Sequence, residues 1–211
     1  CDKVNGGNYW QEGLERGQIL SKKLNLVSAK GKEIVFEEEC LWERPGAESP
    51  FKDVRRVIIS APSQDIRLID FSITLTALID VRIENTNHSL FAARMVSELS
   101  VQQGGTLVNA EGLTAEKGTF GKKSPWCDYY GTRNGIVEGL AILSHPSNRW
   151  FPDPWFTRDY GFFSPTPMNW LEGGFLSIPK GESMTLRYRV VAHRGDTESA
   201  GISSIYKQWS Q

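Results

Sequence analysis

The segment His145–Pro167, HPSNRWFPDPWFTRDYGFFSPTP, concentrates the residue types that do chemistry. Each of its prolines fixes φ and removes a backbone donor, so neither a regular helix nor a central strand is expected there. A stiff loop with aromatic walls and convergent polar groups has the composition of a pocket. His145 follows the apolar run GIVEGLAIL, which places it at a strand exit, where its imidazole could act as general acid or base. Arg158 and Asp159 follow Trp155. An Arg beside a Trp can hold a carboxylate, a phosphate or sugar hydroxyls while the ring stacks on an apolar sugar face.

Two further stretches carry candidate groups. Glu111, in LVNAEGL, sits beside Gly at a strand end as a candidate general base, with Asn109 to orient it or to bind substrate. Asp128, in PWCDYYG beside Trp126, offers a second carboxylate, and two carboxylates flanking a sugar fit glycoside chemistry. Each has a structural counter-reading. His145 could brace its own turn, and Arg158–Asp159 could pin the loop. Glu111 could be a solvated turn residue, and the Asp128 neighbourhood aromatic core. Asn5, Asn8, Tyr9 and Trp10 form a further polar-aromatic candidate patch, with a turn and one buried Trp as its counter-reading. His88, in NTNHS, reads as an exposed hairpin-turn residue, and His193, in AHRGD, as a structural strand-end residue.

The elements that position these groups are strands. Phe71–Ile83 alternates, with Phe71, Ile73, Leu75, Ala77, Ile79, Val81 and Ile83 on one side and polar residues on the other, broken only by Leu78. Met184–Ala192 repeats the pattern after the hairpin-type turn IPKGES. Weaker strands are expected at Leu24–Ala29, Lys32–Trp42, Val54–Ser60, Leu90–Glu98, Gly135–Ser144 and Gly174–Ile178. One short helix is expected, at Ser199–Gln208. Many strands with almost no helix predict an all-β fold, a large antiparallel β-sandwich, as one domain over residues 1–211.

Composition bounds the function. The 211 residues contain 39% hydrophobic residues, 20 Gly and 10 Pro, as expected of a folded, turn-rich protein. Scattered basic residues, 24 against 25 acidic, give a net charge of −1 and no nucleic-acid footprint. The run KKLNLVSAKGK reads as a solvated strand and turn. Three Cys and three His, with no CxxC or Cys/His cluster, predict no metal site, and the odd Cys count leaves room for at most one disulfide. There is no GxSxG element and no phosphate loop, so no cofactor is expected. No apolar run of about 18 residues is present, so no membrane-spanning helix is expected.

Several segments, in order along almost the whole chain, resemble the PmoA-like family of soluble bacterial proteins: DKVNGGNYW, FSITLTALIDV, LVNAEGL, GKKSPWCDYYG, GLAILSHPSN, PWFTRDYGFF and KGESMTLRYRVVAHRGD. The methane-oxygenase label of that family is read as a misnomer, because the chain lacks a membrane span and a copper-type ligand cluster. The match keeps His145, Asn148, Trp155, Arg158, Asp159 and Tyr160. Two departures stand out. A His-rich segment that usually precedes the Asp-Val-Asn-Gly stretch is expected to lie upstream of this chain. The family's Trp-His-Val-Arg reads here Trp155-Phe156-Thr157-Arg158. The resemblance implies a galactose mutarotase-like supersandwich and a periplasmic or secreted location.

The combined expectation is a carbohydrate-active protein of hydrolase, lyase or epimerase type, with its pocket on the 145–167 loop. His145, Glu111 and Asp128 would be the catalytic groups. Arg158, Trp155, Trp126, Asn148, Asn109, Tyr160 and Asp159 would hold a small-molecule or oligosaccharide ligand. The alternatives are a non-catalytic carbohydrate-binding module and a structural subunit.

Overall fold

In the computed structural model, which describes residues 1–11, 13, 15–88 and 90–211, the alternating segments become the middle of one antiparallel sheet. The strands are β1 (Gln18–Lys30), β2 (Glu33–Glu43), β3 (Phe51–Ser60), β4 (Ile66–Ala77), β5 (Val81–Glu84), β6 (Ala93–Arg94) and β7 (Thr106–Asn109). They continue as β8 (Trp126–Arg133), β9 (Ile136–Ser144), β10 (Trp155–Thr157), β11 (Phe162–Pro165), β12 (Phe175–Ile178) and β13 (Ser183–Arg194). Helices α1 (Ala115–Thr119) and α2 (Ile202–Trp209) complete the chain. Eight strands form the main sheet in the order β1-β2-β3-β4-β13-β9-β8-β7, and β10-β11-β6 and β12-β5 form two small sheets. The fold is all-β and dominated by this large antiparallel sheet. No helix among the described residues is long and apolar enough to cross a membrane.

The period-two pattern sets which face is inside. Tyr188 pairs with Phe71 and Leu186 with Ile73, so the apolar rows of β13 and β4 lie side by side. Arg187 and Arg189 fall on the other face, where Arg189 forms a bidentate pair with Asp70 at 2.5 and 2.7 Å. The small sheets pack on the inner face and make the second layer. Trp155 and Phe163 join Leu186, Tyr188 and Ile142, while Ile83, Leu176 and Ile178 join Trp42, Phe51 and Leu75. On the opposite face α2 sets Ile202 against Trp126, Ala141, Leu143 and Val191.

Several boundaries differ from the sequence pattern, each for a physical reason. The run Phe71–Ile83 is two strands, since β4 stops at Ala77 and β5 starts at Val81. Leu78, the one break in the alternation, falls in the turn between them. Leu90–Glu98 shrinks to β6, because its partner β11 offers only two pairings, Phe162 with Arg94 and Phe163 with Ala93. The Pro-rich segment contains β10 and β11, with Pro165 at the end of its strand, where its missing donor is tolerated. Helix α1 is an addition that the sequence pattern did not announce. The basic run is indeed an exposed edge strand, with Lys22 and Lys23 paired to Glu43 and Glu39, a charged rim that discourages further pairing. All three cysteines are free thiols and buried.

Three expected site residues are core residues instead. Trp155 is fully buried and its indole N–H donates to the Ser124 carbonyl at 2.8 Å. Trp126 is buried beneath α2. Neither ring can serve as a sugar platform. Asp128 is fully buried, accepting from His193 Nε2 at 2.9 Å and from the Thr197 hydroxyl at 2.6 Å, so it ties β8 to β13 and to the turn that leads into α2. His193 Nδ1 faces the Gly195 carbonyl at 3.1 Å, so both ring nitrogens meet acceptors and the ring is held as an imidazolium. Burial works against that charge, yet the hydrogen bond and charge of Asp128 outweigh it and raise the His193 pKa above the usual histidine range. Gly139 makes room for the ring, since a Cβ there would lie 2.6 Å from His193 Cε1 and from Tyr130 Cβ.

Removing one member of a buried pair strands the other, at a cost of roughly 3–5 kcal/mol. Asp128→Ala should therefore lower the unfolding free energy by about that amount in urea titrations. Because the folded His193 pKa is raised, the pair contributes fully below about pH 6.5 and its contribution is lost as pH climbs through the folded value. The variant should lack this decline.

Candidate functional site

The N-terminal stretch, the segment before β6 and the β10–β11 hairpin meet at a pocket of about 120 Å³. One wall is built around His88. Its Nδ1–H donates to Asp2 Oδ2 at 2.8 Å, and Nε2 has no hydrogen-bond partner among the described residues. The Thr86 hydroxyl donates to the other Asp2 oxygen and accepts the His88 backbone N–H at 3.0 Å, so one buried threonine fixes both partners. Burial pushes the Asp2 carboxyl up, but the hydrogen bonds from Thr86 and His88 outweigh it and hold the group below its ordinary value, ionised. Trp10 stacks on the His88 ring at 5.0 Å and 12°. The Asn8 side chain caps the turn that presents Trp10, accepting its backbone N–H at 2.9 Å.

The facing wall comes from the Pro-rich segment and from β6. Strand alternation turns Trp155 into the core and Phe156 toward the pocket. The Arg158 guanidinium lies 4.0 Å from the centroid of the Phe156 ring and donates to Glu116 Oε1 at 2.9 Å. Arg94 rests against the rings of Tyr160 and Phe162 at 5.2 and 5.8 Å, and no carboxylate among the described residues pairs with it. Asn87 completes the polar lining. The pocket thus combines a carboxylate-backed imidazole, two guanidinium groups, an amide and a phenol on an aromatic frame. It can hold oxygen-rich or anionic groups and move a proton at His88 Nε2.

The expected site residues divide. Arg158 and Tyr160 come together in this pocket. Asp159 is a positioning residue behind it: its carboxylate accepts the Glu116 backbone N–H at 2.7 Å, and its carbonyl accepts the Tyr129 hydroxyl at 2.9 Å. His145 does not join them. It lines a separate cleft of about 200 Å³ with Arg187 and Trp209, and its Nδ1 accepts the Ser147 backbone N–H at 3.1 Å. Burial and then Arg187 lower its pKa, which keeps it neutral. Asn148 is buried and stitches the loop to β13, donating to the Arg187 carbonyl at 2.8 Å and accepting its N–H at 2.7 Å. Asn109 is buried and accepts the Leu113 N–H at 2.9 Å, closing the turn on which Glu111 stands exposed. Glu111 is exposed, Asp128 is fully buried and His145 lines its own cleft, so the three expected catalytic groups are not seen together among the described residues.

The groups missed in the sequence are Asp2, His88, Arg94 and Glu116, while Trp10, in the N-terminal candidate patch, is part-exposed at the pocket and not a buried Trp. Asp2 and His88 are 86 positions apart, a pairing that no local spacing reveals. Trp10 also borders an apolar cavity of about 300 Å³ over β3 and β4. There the one charged pair is self-satisfied: Asp53 accepts Arg55 Nε and Trp42 Nε1, each at 2.7 Å. The smaller pocket carries the uncommitted chemistry.

The sequence model of a family described as "Family of unknown function (DUF6807)" matches residues 1–207. A comparison with curated proteins found no match. Among solved structures, a crystal structure assigned as a putative aldose 1-epimerase from Escherichia coli K12 is similar at 12% identity and a TM-score of 0.33, covering 82% of this chain and 68% of that one.

Asp153 anchors the loop that presents this wall. It is fully buried; the Ser144 hydroxyl donates to Oδ2, Oδ1 has no partner among the described residues, and burial pushes the carboxyl up to about 6. A raised carboxyl destabilises the fold once it ionises. Asp153→Asn should therefore raise stability at pH 7 by about 1–3 kcal/mol, since each tenfold change in proton affinity is worth roughly 1.4 kcal/mol. The gain should fade as pH falls from about 6 to below the unfolded carboxyl value of 3.8, measured by thermal melts across that range.

Proposed function

The chain belongs to the DUF6807 family, and we propose that it is a carbohydrate-active protein whose site is the His88 pocket. The observation that carries this reading is the Asp2–His88 pair, stacked on Trp10, opening on the same small pocket as Arg94 and Arg158. A sugar presents an apolar ring face and a rim of oxygens. Aromatic walls match the first, and guanidinium, amide and phenol groups match the second. Asp2 holds the imidazole in one tautomer and stabilises it when it gains a proton, so His88 can accept a proton from a bound sugar and return it elsewhere. Arg158 and Arg94 stand ready to stabilise negative charge that develops on a sugar oxygen. The chemistry that best suits one imidazole sharing a pocket with two guanidinium groups is proton transfer, as in an epimerising or eliminative step.

A non-catalytic carbohydrate-binding role is the second reading, favoured by one observation. Phe156 presents an aromatic ring, and no titratable group, to this pocket.

The test is a thermal-shift panel of monosaccharides and sugar acids, followed by turnover assays on whatever binds. A ligand at 100 times its Kd should stabilise the fold by about 2.7 kcal/mol. Arg158→Ala should abolish the shift. His88→Asn should leave binding within a few-fold and lower turnover by about 100-fold or more. Binding without turnover in the unmodified protein would select the second reading. A shift that survives Arg158→Ala would move the site elsewhere.

A further inference from the structure

We propose that the pocket is one end of a track for an acidic oligosaccharide, which runs from Trp10 across Phe120 to Trp170; this rests on the carbohydrate reading of the His88 pocket. The rings form an unbroken series. Trp10 meets Phe162 at 6.0 Å, Phe162 meets Phe156 at 5.9 Å, Phe156 meets Phe120 at 5.2 Å and Phe120 meets Trp170 at 5.6 Å. Phe156 and Phe162 are buried and act as backing, whereas Trp10, Phe120 and Trp170 are 36%, 38% and 39% exposed. Trp10 keeps one face on His88 and Phe120 lies under Arg158, yet all three rings stay part-exposed, and part-exposed large rings in series are platforms on which successive sugar rings can stack. Leaving them uncovered otherwise only forfeits burial.

The far end of the series is a second cavity of about 460 Å³, walled by Trp170 and Trp150 and bordered by Lys123 and Arg149. It shares no lining residue with the His88 pocket, and Phe120 bridges the two through Phe156 and Trp170.

Basic side chains stand at both ends of this track. Arg94 and Arg158 stand at one end, and Lys123 and Arg149 at the other. Glu116 pairs with Arg158, Asp2 with His88 and Asp159 with the α1 backbone, and Asp153 is turned into the core, while Arg94, Lys123 and Arg149 pair with no carboxylate among the described residues. In a chain of net charge −1, these three uncommitted cations lie at the two ends of one aromatic series. A neutral glycan would stack on the rings and hydrogen-bond to the cations without answering their charge. An acidic glycan, with a carboxylate on successive residues, uses both.

Calorimetric titration separates the alternatives. The probes are galacturonate, glucuronate and mannuronate, each as monomer and as tetramer, with neutral glucose tetramers as the control. The proposal expects at least one acidic tetramer to bind about ten-fold or more tighter than its monomer and than the neutral tetramers. Trp170→Ala should erase the gain with length while monomer binding, which does not reach that ring, stays unchanged. Lys123→Gln combined with Arg149→Gln should erase the preference for acid over neutral tetramers. Equal affinity for monomer and tetramer, or for acidic and neutral tetramers, would overturn the track and leave the sugar pocket standing. Absence of binding by every sugar would remove both.

Discussion

The site depends on the burial of Trp155. The ring fills the space between the main sheet and the small sheet, stacked on Phe163, with its N–H tied to the Ser124 carbonyl. Truncating such a residue typically costs about 3–5 kcal/mol, and that much anchoring lets a Pro-rich segment hold a fixed course. With Trp155 inward, alternation along β10 sends Phe156 to the pocket and Thr157 back inside, where its hydroxyl meets that of Thr119 at 2.8 Å. Arg158 then emerges beside α1, and Glu116 catches it. One buried indole thus fixes the direction of the groups that matter at the surface.

The chain buries carboxylates in two ways, with opposite consequences. Asp128 faces an imidazolium and a hydroxyl, so its charge is matched and the elements around it are locked. Asp153 receives one hydroxyl and leaves an oxygen bare, so burial raises its pKa and its charge works against the fold. Asp2 is a third case. It is less buried, held ionised by Thr86 and His88, and placed where its charge supports an imidazole that faces a pocket. Unlike Asp128, Asp2 leaves its histidine partner's second nitrogen without a hydrogen bond among the described residues, the feature on which the proposed role of the pair rests.

The sequence made the sheet legible because burial on one face writes itself as period two. The rows Phe71–Leu75 and Leu186–Val190 sit where alternation places them, and the break at Leu78 falls in a turn. The Pro-rich segment was legible as special. Which of its rings would face inward was not, since Trp155 and Phe156 are adjacent, both aromatic, and separated only by strand phase. Asp128 beside Trp126 reads the same whether a carboxylate meets a sugar or a buried His193. His88 looked like a turn residue because its partners, Asp2 and Trp10, come from the far N-terminal stretch. Long-range pairing, not composition, makes this site.

The chain has three histidines, and the structure gives each a distinct state, so side-chain nitrogen NMR tests the central claim directly. His88 should carry its proton on Nδ1 beside Asp2, His145 on Nε2 because its Nδ1 accepts from Ser147, and His193 should hold both. Adding a sugar or sugar acid that stabilises the protein should shift the His88 Nε2 resonance and leave those of His145 and His193 in place. A ligand that moves His145 and leaves His88 unchanged would contradict the account and return the site to the cleft beside Trp209.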